Sequence, residues 1–69
     1  MNEDILKGKW RQIKGEVKSR WGKLTDDDMD RVEGDAEKLI GRVQERYGYQ
    51  RDEAQREVDD FVRIHKDAI

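Results

Sequence analysis

Leu6, Trp10, Ile13, Val17 and Trp21 follow one another at steps of four, three, four and four residues. That spacing stacks them on one face of an α-helix and predicts a first helix over 4–21. A short apolar pair, Met29 and Val32, ends at Gly34-Asp35. The series Ala36, Leu39, Ile40, Val43 and Tyr47 then resumes the helical period, and Ala54, Val58, Phe61, Val62 and His65 share a last face. Helices are accordingly predicted over 26–33, 35–47 and 52–65. Since the period runs on through Gly34, a single helix over 26–47 is the alternative. No useful stretch alternates with a period of two, so no strand is expected.

A repeat favours the break at Gly34. Ile13, Gly15, Val17, Arg20, Trp21, Gly22 and Asp26 return 26 residues later as Leu39, Gly41, Val43, Arg46, Tyr47, Gly48 and Asp52. Each copy reads as an amphipathic helix closed by an aromatic residue and a glycine, with an acid opening the next helix. The expected architecture is all-α, one domain over 1–69 built as a small bundle of two packed helical hairpins, four helices in approximate internal duplication. Gly22 and Gly48 are expected to stop their helices at positive φ, Thr25 to cap the second helix and Asp52 the fourth. Gly8 and Gly15, repeated as Gly34 and Gly41, each cost about 1 kcal/mol inside a helix. They are either tolerated or mark close backbone approach to another element. The predicted core is Leu6, Trp10, Ile13, Val17, Trp21, Leu24, Met29, Val32, Leu39, Ile40, Val43, Tyr47, Val58 and Phe61.

Composition narrows what such a core can do. With 69 residues, 33% hydrophobic and 46% charged, the chain has a narrow stability margin and little material to wall a deep cavity. It has no cysteine and therefore neither disulfides nor a thiolate nucleophile. No apolar run reaches the length of a membrane span or a signal segment, so a cytoplasmic protein without membrane insertion is expected. The net charge of −2 is unevenly placed. Residues 1–24 hold seven basic and three acidic groups, and residues 25–69 hold eight basic and fourteen acidic.

The run Trp10-Arg11-Gln12-Ile13-Lys14-Gly15-Glu16-Val17-Lys18, followed by Trp21-Gly22-Lys23-Leu24-Thr25-Asp26-Asp27-Asp28-Met29, resembles the CsbD-like family of small bacterial stress-response proteins. Glu33-Gly34, the stretch from Leu39 to Tyr49 and that from Asp52 to Glu57 agree with the same pattern; the match weakens after Val58. The resemblance implies a small helical domain in the cytoplasm, made under general, osmotic or stationary-phase stress. It supplies a turn motif, Trp21, Gly22, Asp26, Tyr47, Gly48 and Asp52, and no catalytic residue.

The residues themselves offer little chemistry. Asp26, Asp27 and Asp28 are consecutive, and on a helix they point about 100° apart, which does not converge on one cation. His65 stands alone and is expected to pack beside Phe61 and Val62. No nucleophile with a base partner and no phosphate-binding glycine loop can be assembled. No enzyme activity, metal or cofactor is expected. The one candidate binding surface is basic: Lys7, Lys9, Arg11, Lys14 and Lys18 around Trp10 and Trp21, cations for phosphate and aromatics for stacking. Both tryptophans share the stripe of Ile13 and Val17, which favours core packing and leaves the cations as a solvated face. The leading expectation is a monomeric, non-enzymatic stress protein that acts as a protectant or meets a macromolecular partner that the sequence does not identify. A nucleic-acid-binding module using the first helix is the alternative, and an amphipathic helix docked on anionic membrane is disfavoured because its apolar face is needed for the core.

Overall fold

The computed structural model describes residues 3–67, with side chains over 6–65. The chain forms five helices: α1 (Glu3–Gly8), α2 (Trp10–Arg20), α3 (Asp26–Val32), α4 (Ala36–Tyr47) and α5 (Arg51–Asp67). No strand occurs among the described residues. α4 is the hub: α5 makes the longest contact with it, α3 lies against it, and α1 touches both α4 and α5.

The helix expected over 4–21 is divided. Lys9 takes φ −112° and ψ 11°, outside the α region, while its carbonyl already accepts from the N–H groups of Gln12 and Ile13, both at 2.9 Å. Gly8, the poorest helix former in the segment apart from Gly15, ends α1 immediately before this break. The bend lets α1 lie on the α3–α4 connection, where Gly34 makes the closest contact. A Cβ built on Gly34 would stand 2.8 Å from the Lys7 Cα and 3.3 Å from both the Leu6 carbonyl oxygen and the Trp10 Cβ.

Gly34 also takes φ +82°, following Glu33 at φ 46°. Two successive left-handed residues turn the chain out of α3 and into the Asp35 cap, whose side chain accepts from the Lys38 N–H at 3.2 Å. The break at Gly34 therefore has two causes, backbone conformation and interhelical contact. Gly8, Gly15 and Gly41 have no neighbouring atom within 4 Å of such a Cβ, so the close approach suggested for all four glycines holds at Gly34 alone.

The two aromatic-glycine turns differ. Gly48 has φ +72° and its N–H returns to the Gln44 carbonyl, as expected of a left-handed helix stop. Gly22 is not left-handed. Trp21 leaves the helix itself, with φ −123° and ψ 77°, and this carries its ring inward, where it is 1% exposed and lies 5.2 Å from the Phe61 ring. Tyr47, the corresponding residue, remains the last residue of α4. Asp52 is likewise corrected: α5 begins at Arg51, which places Asp52 in the first turn, where its charge suits the positive helix end.

The core follows the apolar stripes. Of the fourteen predicted residues, twelve are buried, and Trp10 and Tyr47 are half-buried against them; Ala36, Ala54 and Val62 join the buried set.

Two glycines give opposite expectations. Gly34→Ala meets both a left-handed backbone and the Lys7 backbone, and should destabilise by about 2 kcal/mol or more. Gly15→Ala gains helix propensity in open space and should stabilise by about 1 kcal/mol. Urea unfolding of the two variants checks this, and equal effects would contradict the assigned contact. Trp21→Ala should cost about 3–5 kcal/mol, as expected for an aromatic removed from a packed core.

Candidate functional site

The three consecutive aspartates lead to three different places. Asp26 meets the Lys18 Nζ at 3.3 Å, and Asp27 accepts from the Arg31 Nε at 2.8 Å. Asp28 turns inward and is 1% exposed, the one charged residue among those buried in the described chain. Its carboxylate accepts from the Arg46 Nε at 2.8 Å and Nη2 at 3.1 Å, and from the Thr25 N–H at 3.0 Å. Thr25 Oγ1 in return accepts from the Asp28 N–H at 3.1 Å, completing a reciprocal capping box. Arg42 adds a cation at 3.9 Å.

A carboxylate removed from water is costly unless its oxygens are occupied. Here they are: the Arg46 fork holds the Asp28 carboxyl far below the usual carboxylate range, against the opposing effect of burial, with the Thr25 backbone N–H adding to it. Thr25-x-x-Asp28 has the spacing of a capping box, and Arg46 has no acid at three or four residues on either side. Both signals are legible in the chain, yet the pairing joins positions 18 apart and depends on α3 lying against α4.

The turn-motif residues are anchored by different partners. Trp21 Nε1 donates to Glu57 Oε1 at 2.9 Å, the same oxygen that Arg20 approaches at 3.6 Å. Tyr47 Oη accepts from the Lys23 N–H at 3.2 Å, and its ring stacks on Tyr49 at 5.4 Å. Burial, with Glu57 nearby, pushes the Tyr49 phenol up. Gly22, Asp26, Gly48 and Asp52 are exposed. These contacts fasten the first turn to α5 and the second turn to the first.

The predicted basic face is divided. Lys14 pairs with Asp30 at 3.8 Å and Lys18 with Asp26, so α3 partly neutralises α2. Lys7, Lys9 and Arg11, around the α1–α2 break, have no ion-pair partner among the described residues, and Lys7 and Arg11 are exposed. Trp21 is buried and is not available to stack a base. His65 lies 4.0 Å from the Phe61 ring, with Nδ1 against the Phe61 carbonyl at 2.9 Å and Nε2 against Glu16 at 3.1 Å, which ties α5 to α2.

Comparison with known proteins agrees over most of the chain. The family model described as CsbD-like matches residues 4–56. The UPF0337 protein YjbJ of Escherichia coli O6:H1 is 55% identical over 65 residues, covering 94% of each chain. A UPF0337 protein of Pseudomonas aeruginosa is 54% identical over 61 residues, 88% of this chain and 94% of its own. One of Bordetella pertussis is 56% identical over 61 residues, with 88% and 92% covered. No solved structure matches the chain.

Asp28 sets a pH dependence. Because its folded pKa is depressed, the stability it contributes is fully present above its ordinary value of about 3.9 and is lost as the pH falls through the lowered one. Asp28→Asn should cost about 2 kcal/mol at neutral pH, and the gap between wild type and variant should close progressively in acid. Urea unfolding from neutral pH to well below about pH 4 checks this, and a gap that does not change would contradict it.

Proposed function

The chain belongs to the CsbD-like family of stress-response proteins, and on that premise we propose that it is a non-enzymatic, monomeric cytoplasmic protein acting through its folded, charge-rich surface. It serves as a protectant, or as a module that meets other macromolecules, when the cell is under stress. One observation carries this reading: the buried charge, Asp28, is saturated by Arg46 and Thr25, while the other charged residues whose side chains are described are at least partly exposed, with both signs interspersed. A carboxylate gripped in this way holds the fold and offers neither a base nor a ligand. Among the described residues, no helix is long and apolar enough to cross a membrane. The 26-residue repeat supports a further reading, that the five helices elaborate two ancestral helical hairpins, the second of which is the α4–α5 pair.

A nucleic-acid module is the second reading, favoured by the cluster of Lys7, Lys9 and Arg11 without acid partners among the described residues. The ion pairs of Lys14 and Lys18 weaken it, because counterion release requires cations that are not already neutralised.

Complementation separates the two. In a strain lacking the gene, wild type should restore stress survival, and so should the variant with Lys7, Lys9, Arg11 and Lys14 changed to Gln, provided circular dichroism shows it folded. Trp21→Ala should fail through loss of fold. Failure of the folded Gln variant would overturn the leading reading and establish the basic surface.

A further inference from the structure

Two residues of α4 are poorly explained by stability. Lys38 lies in the first turn of the helix, where the helix dipole disfavours a cation, and no acid lies within ion-pair distance of it among the described residues. Gly41 weakens the helix interior, yet nothing stands within 4 Å of the position a Cβ would occupy, so packing does not require it. The two are three residues apart on one helix face, together with Arg42 and Glu45. That face borders an open groove of about 490 Å³ lined by Arg31, Lys38, Gly41, Arg42 and Glu45. The missing side chain at Gly41 keeps the groove open between three cations.

Of the three cations, Lys38 alone has no acid partner among the described residues. Arg31 is held by Asp27 at 2.8 Å, and Arg42 by Glu45 at 3.3 Å with Asp28 at 3.9 Å; Asp28 is already committed to Arg46. Glu45 thus occupies the position an external anion would take on Arg42. A singly charged carboxylate would gain little by displacing it. A group with two or more charges and several oxygens would gain contacts to two guanidinium forks and an ammonium, the donor set that suits phosphate.

We propose that the groove between α3 and α4 binds a phosphate-bearing ligand through Arg31, Lys38 and Arg42, with Gly41 providing the space and Glu45 acting as the internal competitor. The site is separate from the basic face of α1 and α2, and it does not depend on the function proposed above. The phosphate could be a small free phosphate compound or a nucleic-acid backbone; the two differ in source and share this chemistry.

The test is an NMR titration of the full chain at low salt with pyrophosphate and, separately, with duplex DNA. Amide resonances of Arg31 and of residues 38–45 should shift saturably. Lys38→Gln should weaken binding about tenfold, as expected for loss of one charge-assisted contact. Gly41→Leu should weaken it at least as much while raising the melting temperature, a combination that a purely structural glycine would not give. Glu45→Gln should tighten it. Tighter binding of pyrophosphate than of DNA, per phosphate contacted, assigns a small free phosphate compound, and the reverse assigns a nucleic acid. Shifts that are absent with both ligands, or that Lys38→Gln and Glu45→Gln leave unchanged, would overturn the proposal.

Discussion

A carboxylate inside an 8.2 kDa protein is a liability unless its position is fixed, and much of this fold serves to fix Asp28. Its two oxygens take the Arg46 fork and the Thr25 N–H, which fastens the start of α3 to the last turn of α4. Arg46 directly precedes Tyr47, and the Tyr47 hydroxyl receives the Lys23 N–H. The connection between α2 and α3 is therefore held at both ends by consecutive residues of one helix. Trp21, at the beginning of that connection, closes the remaining side through Glu57 and Phe61 of α5. With so few apolar residues, these polar contacts join α2, α3, α4 and α5 beside the core.

Gly34 supplies the complementary constraint, one of space. It allows the α1 backbone to reach the α3–α4 connection at a distance that no side chain would permit. The core closes over Leu6 as a result, and α1 reaches both α4 and α5. Apart from Asp28, the charged residues whose side chains are described keep at least part of their surface in solvent. Protection, partner binding and anion capture in the α3–α4 groove are all roles proposed for that exterior.

Helix positions were legible where period and punctuation agree, as in the stripes from Ile13 to Val17 and from Ala36 to Tyr47, the Thr25 cap and the glycine at 48; at Gly34 the period ran on, and the repeat decided for the break. The break at Lys9 was not legible, since the apolar stripe runs through it undisturbed and the bend follows from what α1 must touch. The repeat also misled at Gly22. It equates Gly22 with Gly48, but burying the larger Trp21 ring draws residue 21 out of the helix and removes the need for a left-handed glycine. At the candidate site, the cations of α2 could be read from the chain, whereas their neutralisation by Asp26 and Asp30 depends on where α3 folds back. The Asp28–Arg46 pair was within reach through the capping-box spacing and the absence of a local acid for Arg46, although nothing local names the partner.

The claim that this pair governs the fold is most directly tested by a double-mutant cycle on Asp28→Asn and Arg46→Gln, followed by urea unfolding at neutral pH. If the two side chains act as a unit, the double variant should be much less destabilised than the sum of the singles, with a coupling of about 2 kcal/mol. Additivity to within about 0.5 kcal/mol would show that the two residues contribute independently, and would contradict the account.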